Sequence, residues 1–272
     1  MTSYAIQPDP DDPRLTERVT GIDQAGRSVE MPVVVERPLT LFLNGQEIVT
    51  LMTIGDYVEE LALGYLLNQN MLGPDDAVTA IEHDPEVEAV VVRTERRTDF
   101  ETKLKRKTLT SGCAQGTAFG DVLENFAQAR LSDDARIRAS WLYSLASRIT
   151  ATPSLYLAAG AIHGCVLCHE GAPLFFMEDV GRHNAVDKIA GVMARRGIAA
   201  DDKIFYTTGR LTSEMVIKTV RMGLPILVSR SGFTAWGVQL ARQANLTLIG
   251  RARGKRFTVL SGAQRVIFDA EP

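Results

Sequence analysis

The sequence predicts an α/β protein, with a smaller α+β unit ahead of a larger unit built on a partly parallel sheet. Two observations carry this expectation. After residue 118, segments of helical periodicity alternate with short apolar runs, and a run such as Pro225-Ile226-Leu227-Val228 suits a strand buried on both faces. Before residue 110 the pattern is instead short strands, one hairpin signal and a single helix. The 272 residues are 45% hydrophobic and 23% charged, which excludes a disordered chain or a coiled-coil rod. The length suffices for a sizeable core without disulfides.

Residues 1–30 are polar and rich in Pro and Asp, and predict a loose arm with a short strand over Arg18–Ile22. Val33–Val35 and Leu39–Leu43 predict strands, and Asn44-Gly45 before Gln46-Glu47-Ile48 is a hairpin turn signal. Asp56 is placed to cap a helix over Tyr57–Asn68, whose apolar face is Leu61, Tyr65 and Leu66. Ile81 and Val87–Val92 predict further strands. Arg93–Lys107 then holds seven basic and three acidic residues, and Thr108–Thr117 is small, hydroxylic and glycine-containing around Cys113. The expected organisation is a small domain over 1–110, a mobile loop over 111–118 and a larger domain over 119–272.

In the larger domain, Phe119–Ala129, Ala139–Thr150, Arg182–Arg196, Thr212–Met222 and Thr234–Ala244 have helical character. Ser154–Ala161, Pro173–Met177, Lys203–Thr207, Pro225–Ser229, Leu246–Gly250 and Phe257–Leu260 read as strands. Ligands of open α/β sheets sit where strand ends lead into helices. Three such loops are rich in Gly, Ser, Thr, Asn or Arg: Glu178–Asn184, Thr207–Glu214 and Ser229–Thr234. Each offers helix N-terminal N–H groups to an anion, and each carries an arginine. Helix capping alone explains one such loop; three in succession favour a binding site.

Charge patterning agrees. The formal net charge is −3, but Lys203–Arg256 holds ten basic residues against one acid, Glu214. That segment is +9 and the remainder −12. Arginine forks match phosphate geometry, so a polyphosphate ligand fits the segment Arg251-Ala252-Arg253-Gly254-Lys255-Arg256, expected as a loop after the last parallel strand. The P-loop pattern and a strand-to-helix G-x-G-x-x-G are both missing, which disfavours ATP hydrolysis and ordinary hydride transfer.

Three cysteines, an odd number, do not read as a disulfide framework. Cys165 and Cys168 follow an apolar run as C-V-L-C, with His163 and His169 beside them. Buried structural thiols and a zinc site are both open, the thiols favoured because no second pair exists. Cys113 is the candidate nucleophile, since a preceding basic stretch lowers a thiol pKa and a mobile loop lets a thiol visit two partners. The start Met1–Ile6 lacks a signal-peptide pattern and no apolar run approaches ~20 residues, so the expectation is a cytoplasmic protein with no membrane partner.

On these residues the chain resembles the formate dehydrogenase accessory sulfurtransferase family, FdhD. The resemblance runs from Val33 onward and is most specific at Leu109–Cys113, Glu178–Lys188, Gly209–Met215, Pro225–Ser231 and Leu246–Arg256. It implies a cytidine-deaminase-like α/β/α sandwich for the C-terminal part and a homodimer. It implies that Cys113 accepts sulfur from a cysteine desulfurase as a persulfide. The sulfur would pass to the molybdenum bis(molybdopterin guanine dinucleotide) cofactor before insertion into the formate dehydrogenase catalytic subunit. The dinucleotide would lie against Arg251, Ala252, Arg253, Gly254, Lys255 and Arg256, with GDP as a partial mimic. Asp179, Arg182, His183, Gly209, Arg210, Ser213, Glu214, Ser229, Arg230 and Ser231 would complete the pocket.

One departure stands out. Many family members carry C-x-x-C in the active loop, whereas here Cys113-Ala114-Gln115-Gly116 has one cysteine. A single-cysteine relay is therefore expected. Base deamination is rejected: a zinc deaminase needs H-x-E and P-C-x-x-C at two helix starts, and these carry Arg182-His183-Asn184 and Gly209–Thr212. No metal ligand set is assigned. Two other readings compete: a non-catalytic scaffold that binds the cofactor, and a nucleic-acid binder drawn by the +9 segment. The second ranks last for want of interleaved aromatics.

Overall fold

The computed structural model describes residues 4–73, 76–95, 126 and 129–271. Cys113, the basic stretch beyond Glu95 and the loop over 111–118 lie outside the described residues. So does the helix expected over Phe119–Ala129, apart from Phe126 and Ala129.

The N-terminal arm is more ordered than its composition suggests. Ala5 N–H donates to Leu174 O and Phe176 N–H to Ile6 O, so the arm adds a bridge to the edge of the C-terminal sheet. β1 (Thr16–Ile22) and β2 (Ser28–Val34) form an antiparallel hairpin. The Asp23 carboxylate closes its turn by accepting from Ala25 N–H and Arg27 N–H. β3 (Arg37–Leu43) and β4 (Gln46–Thr53) form the expected Asn44-Gly45 hairpin, with Asn44 at φ 55° as its turn requires. After α1 (Val58–Asn68), β5 (Val78–Asp84) and β6 (Ala89–Thr94) complete a sheet of order β4-β3-β6-β5. Leu61, Tyr65 and Leu66 of α1 bury against Leu39, Leu41, Val90 and Val92 of that sheet.

Asp56 does not cap α1. The cap position is Tyr57, left-handed and without a side-chain bond. The Asp56 carboxylate instead pairs with Lys188, 132 residues away.

The C-terminal part begins with β7 (Ile137–Arg138) and α2 (Ala139–Ala151). Residues 154–161, expected as a strand, contain a short helix, α3 (Leu155–Ala159). Ser154 Oγ accepts from Leu157 N–H and Gly160 ends it at φ 89°. These local signals outweigh an apolar run too short to fix a period. The cysteines therefore lie within, and not after, a strand: β8 (His163–His169), followed by β9 (Ala172–Asp179). α4 (Arg182–Arg196), β10 (Lys203–Thr207), α5 (Ser213–Arg221), β11 (Ile226–Ser229), α6 (Ala235–Gln243) and β12 (Thr247–Arg253) then alternate, before β13 (Arg256–Ser261) and a short β14 (Val266–Ile267).

The large sheet has the order β13-β12-β11-β10-β8-β9, with β10, β11 and β12 parallel and the other pairings antiparallel. Two cores sandwich it. Cys165, Phe205, Leu227 and Leu248 face α4, α5 and α6; Cys168, Tyr206, Val228 and Ile249 face Leu142, Leu145 and Ile149 of α2. The large unit is thus three-layered. It joins the small unit through α1 and α4, which cross at Gly64 and Gly191. No helix among the described residues is long and apolar enough to cross a membrane.

Candidate functional site

Strand direction brings the expected loops together. β9 and β10 both run antiparallel to β8, and β10 to β12 run parallel. The carboxyl ends of β9, β10, β11 and β12, and the start of β8 at His163, therefore share one sheet edge. The loops after β9, β10 and β11 feed α4, α5 and α6, so three helix N-termini face that edge.

Much of the Glu178–Lys188 segment holds the two units together. Asp179 is fully buried. Its carboxylate accepts from Thr53 Oγ1 at 2.5 Å, Gly181 N–H at 3.1 Å and Asn184 Nδ2 at 2.9 Å, and pairs with Lys188 Nζ at 2.7 Å. Asn184 Nδ2 also donates to Met52 O, and Asp187 takes Asn68 Nδ2 and Lys218 Nζ. Burial disfavours the Lys188 charge, but Asp179 and Asp56 outweigh it and hold the ammonium above its usual pKa. Asp179, one of the expected site residues, fixes the loop that leads into α4.

Ser229 and Ala252, two further expected site residues, are likewise buried. Ser229 is fully buried, its Oγ donating to Gly209 O at 2.6 Å and accepting from Ser231 N–H at 2.9 Å. It ties the second loop to the third. Ala252 points into the core beneath α2. The run Arg251–Arg256, expected as a loop, is the end of β12, a turn at Gly254 (φ 57°) and the start of β13. Arg251, at φ 55°, lies at a register shift that turns its guanidinium over the Phe233 ring, 5.5 Å from the centroid.

The groups left facing the edge are cationic. Burial lowers the His163 pKa, and the nearby charges of Arg182, Arg210 and Arg230 push it further down. Gly209 leaves room for the Arg182 stem; a Cβ there would lie 3.4 Å from Arg182 Cβ and Cδ. Arg230 lies 4.6 Å over the Tyr156 ring, and its carbonyl accepts from Arg253 Nε at 3.1 Å. The basic hairpin and the third loop are therefore in contact. His183 Nε2 is 3.0 Å from Glu214 Oε2 at the N-termini of α4 and α5. Burial holds the His183 pKa down against the pull of Glu214.

The site also holds unused polar capacity. Arg182 Nε, His183 Nδ1 and Thr212 Oγ1 are buried without a hydrogen-bond partner. Neither Gly181 nor Thr212, the caps of α4 and α5, makes a side-chain capping bond. Buried polar groups are normally satisfied, and these exceptions lie at the starts of α4 and α5, where helix N-termini favour anions. Ser213, Gly209, Arg210 and Ser231 lie on the same loops. Tyr156 was missed because its segment read as a strand.

Cys165 and Cys168 are buried on opposite faces of the sheet. They cannot hold one metal, and among the described residues no His, Cys, Asp and Glu group forms a metal cluster. Burial pushes the Cys165 thiol up to about 12 and the Cys168 thiol up as well. Both behave as structural thiols.

Comparison with known proteins follows the same outline. A profile of the FdhD/NarQ family matches residues 34–267. A "Sulfur carrier protein FdhD" of Listeria innocua is 29% identical over 253 residues, covering 88% of this chain and 93% of that protein. One of Bordetella parapertussis is 33% identical over 260 residues, covering 92% of each. A crystal structure from Desulfotalea psychrophila, described as a formate dehydrogenase accessory protein, superposes with a TM-score of 0.74 at 26% identity. It covers 93% of this chain and 99% of that one. With a match over most of its length in both sequence and fold, the chain belongs to the FdhD/NarQ family.

Proposed function

We propose that this protein is a sulfurtransferase that carries a persulfide on Cys113 and hands the sulfur to a molybdenum bis(molybdopterin guanine dinucleotide) cofactor bound as substrate. The relatives' name, sulfur carrier, supports the class of reaction. The single observation that carries the cargo reading is the sheet edge itself. Arg182, Arg210 and Arg230 lie there on the loops near His163, with the N-termini of α4 and α5 and buried polar atoms that lack a partner, next to the basic β12–β13 hairpin. Such an edge suits the diphosphates of a dinucleotide.

The chemistry balances with one cysteine. The Cys113 thiolate attacks the outer sulfur of a desulfurase persulfide, the donor S–S bond breaks, and the donor cysteine leaves as thiolate. Release of that sulfur as sulfide takes up two electrons, from the acceptor metal or a thiol reductant, and returns Cys113 to the thiolate. Cys165 and Cys168, buried within β8, are unsuited to resolve the persulfide. The order β9-β8-β10-β11-β12, with helices on both faces, supports reading the large unit as a cytidine-deaminase-like sandwich that binds and does not deaminate. A formate dehydrogenase catalytic subunit would receive the cofactor, and a homodimer would bring its two nucleotide ends under one assembly.

The test is the mass of the protein after incubation with a cysteine desulfurase and cysteine. Wild type should gain one sulfur atom, mapped to Cys113, and Cys113→Ala should gain none. An unmodified wild type that still binds GDP and supports formate dehydrogenase maturation would replace this reading with a non-catalytic scaffold.

A further inference from the structure

A groove lies away from the sheet edge, where α1 of the small unit meets α4 and the end of α5 in the large one. Its volume of about 430 Å³ falls within the ~300–1,000 Å³ typical of small-molecule sites, which favour boundaries between units. The walls are apolar, with Leu67 and Leu72 on one side and Met193, Ile198 and Met222 on the other. Among the described residues the lining holds no carboxylate and one cation, Arg221. Arg221, the last residue of α5, donates through Nε to Leu67 O and through Nη2 to Asn70 Oδ1, both at 2.5 Å. Both partners are neutral, and among the described residues Nη1 makes no hydrogen bond. Burial alone acts on the Arg221 pKa, which falls to about 10, as for a cation with no anion beside it. The carbonyl end of α1 offsets part of the charge; a buried charge is normally paired outright.

We propose that this groove binds a small amphiphilic carboxylate, its chain against Leu67, Met193, Ile198 and Met222 and its carboxylate on Arg221. Apolar walls favour a hydrocarbon chain, and a guanidinium with Nη1 free favours a planar anion. One guanidinium among aliphatic side chains offers a nucleotide neither a stacking face nor a match for several phosphate charges. The ligand would bridge α1 and α4, the helices that join the two units, and so would hold the units together. The inference goes beyond the cargo reading and does not depend on it.

Titration of the full chain with octanoate, followed by NMR of isotope-labelled methionine methyl groups, tests it. The signals of Met193 and Met222 should move saturably, while those of Met31 and Met52, exposed outside the groove, should stay in place. Octanol, which has the chain without the charge, should bind about tenfold more weakly or worse. Propionate, which has the charge without the chain, should move neither signal. Arg221→Met should weaken octanoate about tenfold or more. Arg221 also ties down the end of α1, so a second variant leaves it intact. Ala194→Phe, at an exposed position of the groove wall, should fill the space and abolish the shifts. Equal shifts at Met31 and Met52 would mean indiscriminate coating of apolar surface and would overturn the proposal. So would no shift in wild type, octanol binding as tightly as octanoate, or undiminished octanoate binding by Ala194→Phe.

Discussion

Gly64 of α1 and Gly191 of α4 let two helices meet backbone to backbone. A Cβ on Gly64 would fall 1.8 Å from Asp187 O, and one on Gly191 would fall 2.0 Å from Glu60 O. The crossing sets the small unit against the segment that carries Arg182 and His183, so site geometry depends on two missing methyl groups.

Gly191→Ala should therefore destabilise the protein by about 3 kcal/mol or more, the upper end of overpacking costs, because backbone atoms must move. Helix propensity alone predicts the opposite sign, a gain of ~1 kcal/mol for alanine over glycine. Urea midpoints of the two proteins decide between the terms, and a more stable variant would show that the helices do not touch here.

Lys188 is fully buried between Asp56 and Asp179 and also donates to Glu178 O at 2.9 Å. Lys188→Met should cost about 3–5 kcal/mol, since it leaves buried carboxylates without their cation. Replacing both acids as well, in a triple variant with Asp56→Asn and Asp179→Asn, should recover part of that loss. Equal instability of the single and triple variants, measured by chemical denaturation, would argue that packing and not charge sets the cost.

These contacts mark how far the sequence alone could be followed. Strands such as Ile226–Ser229 and the helix Arg182–Arg196 were legible because their period or continuous apolarity is local. So were the three loops, their shared sheet edge following from alternation. The division of labour inside Glu178–Lys188 was not legible. Asp179 meets Thr53 across 126 residues, Asp187 meets Asn68 across 119, and Asn184 meets Met52 across 132. No local pattern separates a carboxylate aimed at another domain from one aimed at a ligand. Asp56 misled for the same reason: its capping position is local, and Lys188 is distant. The helix at Leu155–Ala159 does carry local signals, with Ser154 before it and Gly160 after it, which compete with the apolar run. The Arg221 groove needed the fold, since Leu67, Met193 and Arg221 belong to separate elements.

Glu178 gives the protein a pH dependence. Burial raises its pKa to about 7, against the pull of Leu155 and Tyr156 N–H groups that donate to it. The folded state thus binds the Glu178 proton more tightly than the unfolded chain does. Its contribution is complete below the ordinary value of 4.5 and is lost as pH rises through about 7. Stability should fall by roughly 1–3 kcal/mol across that window. Glu178→Gln should flatten this part of the profile, because its amide stays neutral at every pH. A wild-type profile that rises between pH 5 and 7, with the same slope in the variant, would assign the titration elsewhere.

Burial separates the cysteines by reactivity. Cys165 Sγ lies 3.4 Å from Thr207 Oγ1, beneath α4 and α5, while Cys168 lies on the other face under α2. Burial holds the Cys165 thiol in its protonated form and denies reagent access as well. Under native conditions an aromatic disulfide reagent should therefore titrate one fast thiol per chain in wild type and none in Cys113→Ala. In urea the counts should rise to three and two, the full cysteine complement of each chain. Two or three fast thiols in the native protein would mean that β8 opens readily, and would return Cys165 and Cys168 to consideration as resolving partners. One fast thiol would agree with the proposed single-cysteine relay, in which the acceptor or an external reductant, and not a second cysteine of this chain, completes release.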